Sequence, residues 1–240
     1  MDLKNKVAIV TGSGSGIGEA TALELSRHGC TCVLVGRTES RLAQVLDHVR
    51  NQAPHSIVAV CDVSNKTQVR QTVQSIYERY GHIDILVNNA GTILRQPAAE
   101  HSDEYWDEVI ETNLNSQFLL SREIGKRMVE RGRGLIVTIG SVADHQAFPG
   151  NAAYGAAKAG LRGLHGVLTA ELAGSGVRAT LISPGPVNTA IWDPVDPDSK
   201  PGFRRRERML RPGDVAEAVL FVATRPEAVV IPELHIEPRA

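Results

Sequence analysis

The sequence predicts an α/β fold: a single-domain, doubly wound parallel sheet of seven strands with helices on both faces. Three observations predict it. Short apolar runs alternate with longer amphipathic stretches along the chain. The runs are mostly continuous, as in strands buried on both faces. The first run passes directly into a glycine-rich turn and then a helical pattern.

The predicted strands are 7–10, 32–35, 57–61, 83–87, 135–139, 177–182 and 229–236. The predicted helices lie near 16–28, 39–51, 65–80, 103–130, 151–173 and 213–224. No internal linker or low-complexity tract interrupts them, so residues 1–240 read as one domain. Residues 189–211 break the rhythm, with Pro194, Pro197, Pro201 and Gly202 among Asp193, Asp196 and Asp198. This irregular segment follows the sixth strand and emerges at the strands' carboxyl edge, where ligands bind in such sheets. It is therefore expected to act as a substrate lid.

Composition excludes several classes. Net charge is −1, which provides no general attraction for nucleic acid or an anionic membrane. No apolar run is long enough to span a bilayer, and the N-terminus lacks the pattern of a signal peptide. A cytoplasmic protein is expected. Cys30 and Cys32 sit only two apart by a predicted strand, a poor geometry for a disulfide. With Cys61 they read as small buried hydrophobes in a reducing compartment. No Cys/His cluster has zinc spacing, and no metal is expected.

The first strand ends in Thr11-Gly12-Ser13-Gly14-Ser15-Gly16-Ile17-Gly18. Glycines allow a sharp turn and let a pyrophosphate approach backbone N–H groups, and the following helix N-terminus adds partial positive charge. The pattern Gly12-x-x-x-Gly16-x-Gly18 is neither the usual G-x-G-x-x-G nor a P-loop. A merely structural turn is the competing reading. The second strand ends Leu34-Val35-Gly36-Arg37-Thr38. An acid at Gly36 would hold a ribose 2′-hydroxyl; none is there, and the Arg37 guanidinium suits a 2′-phosphate. NADP(H) is expected in preference to NAD(H).

Tyr154 and Lys158 stand i and i+4 on a predicted helix, one turn apart on one face. A free phenol titrates too high for a base at neutral pH, and a nearby cation favours the phenolate. Ser141 ends the fifth strand, so its hydroxyl reaches the carboxyl edge and can polarise a substrate oxygen. Asn113 lies on a stripe with Trp106, Ile110, Gln117, Leu120 and Ile124. A buried amide there needs partners, and a water-mediated relay to Lys158 would supply one. Each signal alone has an ordinary explanation, as a helix surface pair or a turn serine; their joint order carries the weight.

These residues resemble the classical short-chain dehydrogenase/reductase family from Lys6 to about Thr189, and more loosely to Ile236. Beside the glycine turn, the resemblance rests on Asp62-Val63 after the third strand and Asn88-Asn89-Ala90-Gly91 after the fourth. Asn113, Ser141, Tyr154 and Lys158 stand in the family's tetrad order, and Pro184-Gly185, Val187 and Thr189 follow the sixth strand. The resemblance implies hydride transfer between nicotinamide and a small carbonyl or alcohol, such as a ketone, a 3-oxo or 3-hydroxy acid, or a 3-oxoacyl compound. It implies that Tyr154 is the general acid/base, that Lys158 lowers the tyrosine pKa and holds the nicotinamide ribose, that Ser141 orients the carbonyl, and that Asn113 anchors a relay water. It also implies that Asp62 and Val63 flank the adenine, that Asn89, Ala90 and Gly91 line the cofactor cleft, and that Thr189 holds the carboxamide. A homotetramer or homodimer through the helices near 103–130 and 151–173 is implied as well. Near the last strand the chain reads Ile231-Pro232-Glu233-Leu234-His235-Ile236-Glu237-Pro238 where many classical members carry an Asp-Gly-Gly segment, and so it resembles more the subgroup of 3-hydroxy-acid and serine dehydrogenases.

Candidate substrate-side residues are Ser141, Ala143, His145, Phe148, Asn151 and Tyr154, then Arg95 and Gln96, with Trp192 and Phe203 in the lid. The run Arg204-Arg205-Arg206, with Arg208 and Arg211, reads as a solvated face or as an attractor for a carboxylate, a phosphate or an acidic carrier. A non-catalytic NADP-binding regulator is the alternative function; such a protein has no need of a complete tetrad.

Overall fold

The computed structural model describes residues 3–239. Its strands are β1 (Val7–Thr11), β2 (Thr31–Gly36), β3 (Ile57–Val60), β4 (Ile85–Asn88), β5 (Gly134–Ile139), β6 (Val177–Pro184) and β7 (Glu233–Ile236). They form one parallel sheet in the order β3-β2-β1-β4-β5-β6-β7. Helices α1 (Gly16–Arg27), α2 (Glu39–Arg50) and α7 (Pro212–Ala223) belong to one core, and α3 (Lys66–Tyr80) and α5 (Ser116–Arg131) to the other. The fold is Rossmann-like.

The period of two along β1 divides the cores. Ala8 and Val10 pack with Leu25 of α1, Leu42 of α2 and Val219 of α7. Val7 and Ile9 pack with Ile76 of α3 and Ile124 of α5. Each fully buried leucine or isoleucine contributes about 2 kcal/mol relative to exposure. α4 (Asp103–Ile110) and α6 (Ala152–Glu171) meet through small residues, with Val109 buried against Ala153 and Ala157.

The two ends of the sheet depart from the doubly buried pattern. β3 is only half-buried, and β7 begins at Glu233 because Val229 and Val230 stand in solvent. Both are edge strands, covered on fewer sides. The helix expected over 103–130 is also interrupted: a π-helical turn, Glu111–Asn115, separates α4 from α5. Its extra residue rotates the two helices by roughly 100° relative to one another. Trp106 therefore leaves the Asn113 stripe and is 41% exposed, while Asn113 is fully buried.

Chain order reverses between β1 and β4, which opens a crevice at their carboxyl ends. The 189–211 segment flanks that crevice. Its base is closed by Asn188 N–H to the Leu210 carbonyl (2.8 Å) and Leu210 N–H to the Pro186 carbonyl (2.9 Å). Arg206 ties it internally, to Asp193 (2.7 Å) and to the Thr189 carbonyl (3.1 Å). This pairing shows why one of the clustered arginines is not a free anion attractor.

Candidate active site

At the crevice, Thr11 joins β1 to β4. Its hydroxyl donates to the Val87 carbonyl (3.2 Å) and accepts from Asn89 and Ala90 N–H (2.9 and 3.0 Å). The Asn89 amide donates to the Thr11 carbonyl (2.8 Å). Gly12 and Gly16 adopt φ of +65° and +58°, values that side chains disfavour. Ser15 is the N-cap of α1, yet its side chain makes no cap bond. The first-turn N–H groups of α1 thus lack an intrahelical or capping acceptor, an arrangement suited to a pyrophosphate.

Gly18 permits the tight packing beneath this turn. A Cβ there would strike the Gly12 carbonyl and lie 2.6 Å from Asn89 Nδ2, both held by backbone. Gly18→Ala is expected to lower stability by about 1–3 kcal/mol through overpacking and to weaken dinucleotide binding with it. Urea unfolding and cofactor titration check this; an unchanged midpoint would contradict it.

One cleft of about 480 Å³ runs across the carboxyl edge. Its β2 end is lined by Arg37 and Arg41, its centre by Gly12, Ser15, Gly16, Ile17, Asn89, Ala90 and Gly91. The far wall comprises Pro184, Gly185, Val187 and Thr189, and the β5 end holds Asn113, Ser141, Ala143, Phe148, Tyr154, Lys158 and Trp192. Other expected residues lie outside the wall. Ser13 is buried and its N–H and hydroxyl both turn to the Val35 carbonyl. Thr38 is the exposed N-cap of α2, and Gly18 lies under the turn. Asp62 accepts from the Ser64 N–H and hydroxyl (3.0 and 2.7 Å), with Val63 buried beside it.

Three groups converge on the β5 end. Ser141 leaves β5 as the N-cap of a short turn, Val142–Asp144, and accepts from Ala143 N–H (3.1 Å). Lys158 is 4% exposed; Nζ donates to the Ile139 carbonyl (2.8 Å) and lies 5.6 Å from the Tyr154 ring centroid. Burial pushes the Lys158 ammonium down to about 8, with Asp144 opposing the shift. The Tyr154 phenol moves up, because burial outweighs the pull of the Ser141 hydroxyl, and Asp144 adds to the rise. The lowering expected from Lys158 is not seen: desolvation and Asp144 raise the phenol, and only the Ser141 hydroxyl lowers it.

Asn113 finds its partners in an unexpected place. Its Oδ1 accepts from Thr92 N–H (2.9 Å) and its Nδ2 donates to the Thr92 carbonyl (2.8 Å). Gly91 makes room, since a Cβ there would lie 2.6 Å from Oδ1. The amide braces the loop after β4, while Lys158 bonds to β5.

His145, expected in the substrate pocket, lies outside its wall. The turn after Ser141 directs its ring to Asp144 and, edge-on, to His235 of β7 (centroids 5.2 Å apart). Asp144, which the sequence reading did not single out, supports the Ser141 turn from behind the cleft wall. It is buried, accepts from the Ser183 hydroxyl (2.5 Å) and pairs with Arg162 (3.4 Å). It ties the Ser141 turn to β6 just before Pro184, yet no spacing marks a β5–β6–α6 contact. Arg41 also lines the cleft and was not singled out, although a cation in the first turn of a helix is an unfavourable placement.

The short chain dehydrogenase family model matches residues 6–200. An uncharacterized oxidoreductase of Staphylococcus epidermidis is 35% identical over 236 residues, 98% of either chain. A metagenomic short-chain oxidoreductase solved in complex with NADP superposes with a TM-score of 0.86, at 29% identity over 99% of both chains. The closed form of serine dehydrogenase complexed with NADP+ gives 0.87, at 33% identity over 95% of this chain and 93% of that one. The chain belongs to the short-chain dehydrogenase family. It is an oxidoreductase acting on CH–OH groups, with a small-molecule substrate.

Proposed function

We propose that the protein is an NADP(H)-dependent carbonyl reductase or alcohol dehydrogenase of small ketones, oxo acids or the corresponding alcohols, with Tyr154 as general acid/base. The observation that carries this reading is one cleft with Ser141, Tyr154 and Lys158 at one end and two unpaired arginines at the other. Bound nicotinamide supplies or accepts the hydride. Ser141 holds the substrate oxygen, and Tyr154 delivers a proton to it in reduction or takes one in oxidation. A buried, neutral phenol is set as a donor, which favours reduction. Lys158 keeps two of its three protons for the ribose and the relay water, beyond the one given to Ile139. Asn113 anchors that water with the remaining bonding capacity of its amide or backbone. Thr189 meets the carboxamide, and Asp62 and Val63 border the adenine beyond the wall.

The proposal extends to organisation. Residues 189–211 close over substrate as a lid on one domain. Exposed Trp106, Phe118, Val129 and Val167 on α4, α5 and α6 support a homotetramer or homodimer through those helices. Among the described residues no helix is long and apolar enough to cross a membrane. The buried free thiols of Cys30, Cys32 and Cys61 suit the cytoplasm. Likeness to a serine dehydrogenase supports a hydroxy-acid type of substrate.

Two experiments test the reading. NADPH oxidation over a panel of ketones, aldehydes and oxo acids should show turnover; tight NADPH binding with none would indicate a regulator. Arg37 and Arg41 have no hydrogen-bond or ion-pair partner among the described residues. Removing both (Arg37→Ala with Arg41→Ala) is expected to cost about 3 kcal/mol of NADPH binding, about 10²-fold in Kd, through lost charge-assisted bonds. NADH binding should hardly change; an equal loss for both cofactors would sink the 2′-phosphate assignment.

A further inference from the structure

The wall of the cleft also contains a third arginine without a carboxylate partner, Arg95. The chain on either side of it is fixed. The Tyr105 hydroxyl donates to the Leu94 carbonyl (2.6 Å) and accepts from Leu94 N–H (2.7 Å). Gln96 N–H donates to the Gly150 carbonyl (3.1 Å). The guanidinium itself is placed by Nη2 donating to the Pro149 carbonyl (2.7 Å) and by the Phe203 ring, 4.6 Å from Cζ. These contacts leave most of its N–H groups without an acceptor, and no carboxylate of the described residues pairs with it. Arg206 and Arg211, by contrast, are paired with Asp193 and Asp214.

Half-burying a guanidinium without a counter-ion is unfavourable, and burial lowers the Arg95 pKa accordingly. An external anion removes that cost. A second polar atom is also waiting in the same wall, since Asn151 Oδ1 is buried with no hydrogen-bond donor. The planar fork of arginine matches a carboxylate in two parallel bonds. The whole cleft is about 480 Å³, and a dinucleotide takes much of it, so the remaining space suits a short molecule.

We infer that Arg95 is the carboxylate-binding group of the substrate subsite, and that the substrate is a short oxo acid or its hydroxy acid. The inference rests on the reductase reading for the place of the carbonyl, between Ser141 and Tyr154. In reduction the C=O carbon gains hydride and its oxygen gains a proton, while the carboxylate is unchanged. Phe203 couples this anion site to the 189–211 segment, and Asn151 accepts from a hydroxyl or amine of the substrate.

The test pairs short 2-, 3- and 4-oxo acids with their methyl esters, using NADPH and the full-length protein. The native enzyme should prefer acids by at least tenfold in kcat/KM. Arg95→Gln should lower kcat/KM for acids about 10²-fold, mainly through KM, and leave esters within about twofold. Arg95→Lys should recover part of the loss. Binding is read separately by titrating 3-methylbutanoate and its methyl ester, a non-reducible pair, with and without NADP. Acid-selective binding lost in Arg95→Gln upholds the site even if no oxo compound is turned over, which would instead count against the reductase reading. Equal handling of acid and ester by the native protein in both assays, an equal loss of both in the variant, or selective binding of a phosphorylated ketone overturns it.

Discussion

Tyr154→Phe is expected to lower kcat for ketone reduction about 10³-fold, within the range for loss of a general acid, while NADPH affinity changes by no more than about twofold. The substitution keeps the ring that packs in the α4–α6 cluster and removes only the hydroxyl beside Ser141. Stopped-flow or steady-state NADPH oxidation measures the rate, and fluorescence quenching measures binding. The pH profile is a second readout. The phenol is raised by burial, so the proton needed for reduction is present throughout the neutral range. It is lost only as pH climbs past the ordinary phenol value, and reduction should fall there. Oxidation needs the phenolate and should rise with pH instead. A variant with full activity, or one whose loss is entirely in cofactor binding, would remove Tyr154 from its role.

Lys158→Met should abolish most activity and at the same time stabilise the protein without cofactor by about 2 kcal/mol at pH 7. The reason is desolvation. Lys158 is 4% exposed and its pKa falls from 10.5 to about 8. Between those two values the unfolded chain binds a proton that the folded chain does not, so stability rises with pH across that window. Below about 8 both states are protonated and a constant penalty of about 3 kcal/mol remains. Methionine has similar length and no charge, so it removes the penalty. It also leaves the Ile139 carbonyl without its donor, which offsets about 1 kcal/mol. Urea unfolding at pH 7 and at rising pH checks both parts: the variant's advantage should shrink as pH passes from 8 to 10.5. Destabilisation at pH 7, or an advantage independent of pH, would contradict the account. In the native enzyme the same titration predicts an alkaline limb near 8 in cofactor binding, as the ammonium is lost.

Most strands and helices were legible because their signals are local. The apolar runs of β1, β2, β4, β5 and β6 sit within a residue or two of their expected bounds. The edge strand β3 was also found within one residue of its expected bounds, but β7 was less legible, since it carries exposed Glu233 and its apolar prelude, Val229 and Val230, remains in solvent. The π-turn before α5 was not legible at all. Nothing in Glu111-Thr112-Asn113-Leu114-Asn115 distinguishes one extra residue per turn from a regular helix, yet that residue turned Trp106 outward. In the site, Tyr154, Lys158, Ser141 and the glycine turn were readable from spacing and order. Asp144 and Arg41 were not, because their significance comes from neighbours on other elements.

What the sequence determined by itself is the alternation of strand and helix, the glycine turn at the switch point, and Tyr154 and Lys158 on one helical face. Periods of two and 3.6 residues and an i, i+4 spacing are properties of a single segment. The tertiary structure alone decided that Asn113 bonds to Thr92, that His145 turns to Asp144 and His235, and that Arg95 stands unpaired in the cleft. It also decided that Tyr154 is raised and Lys158 lowered. Burial and the choice of partner are sums over groups from distant parts of the chain, and only their packing in space sets the sign of those sums.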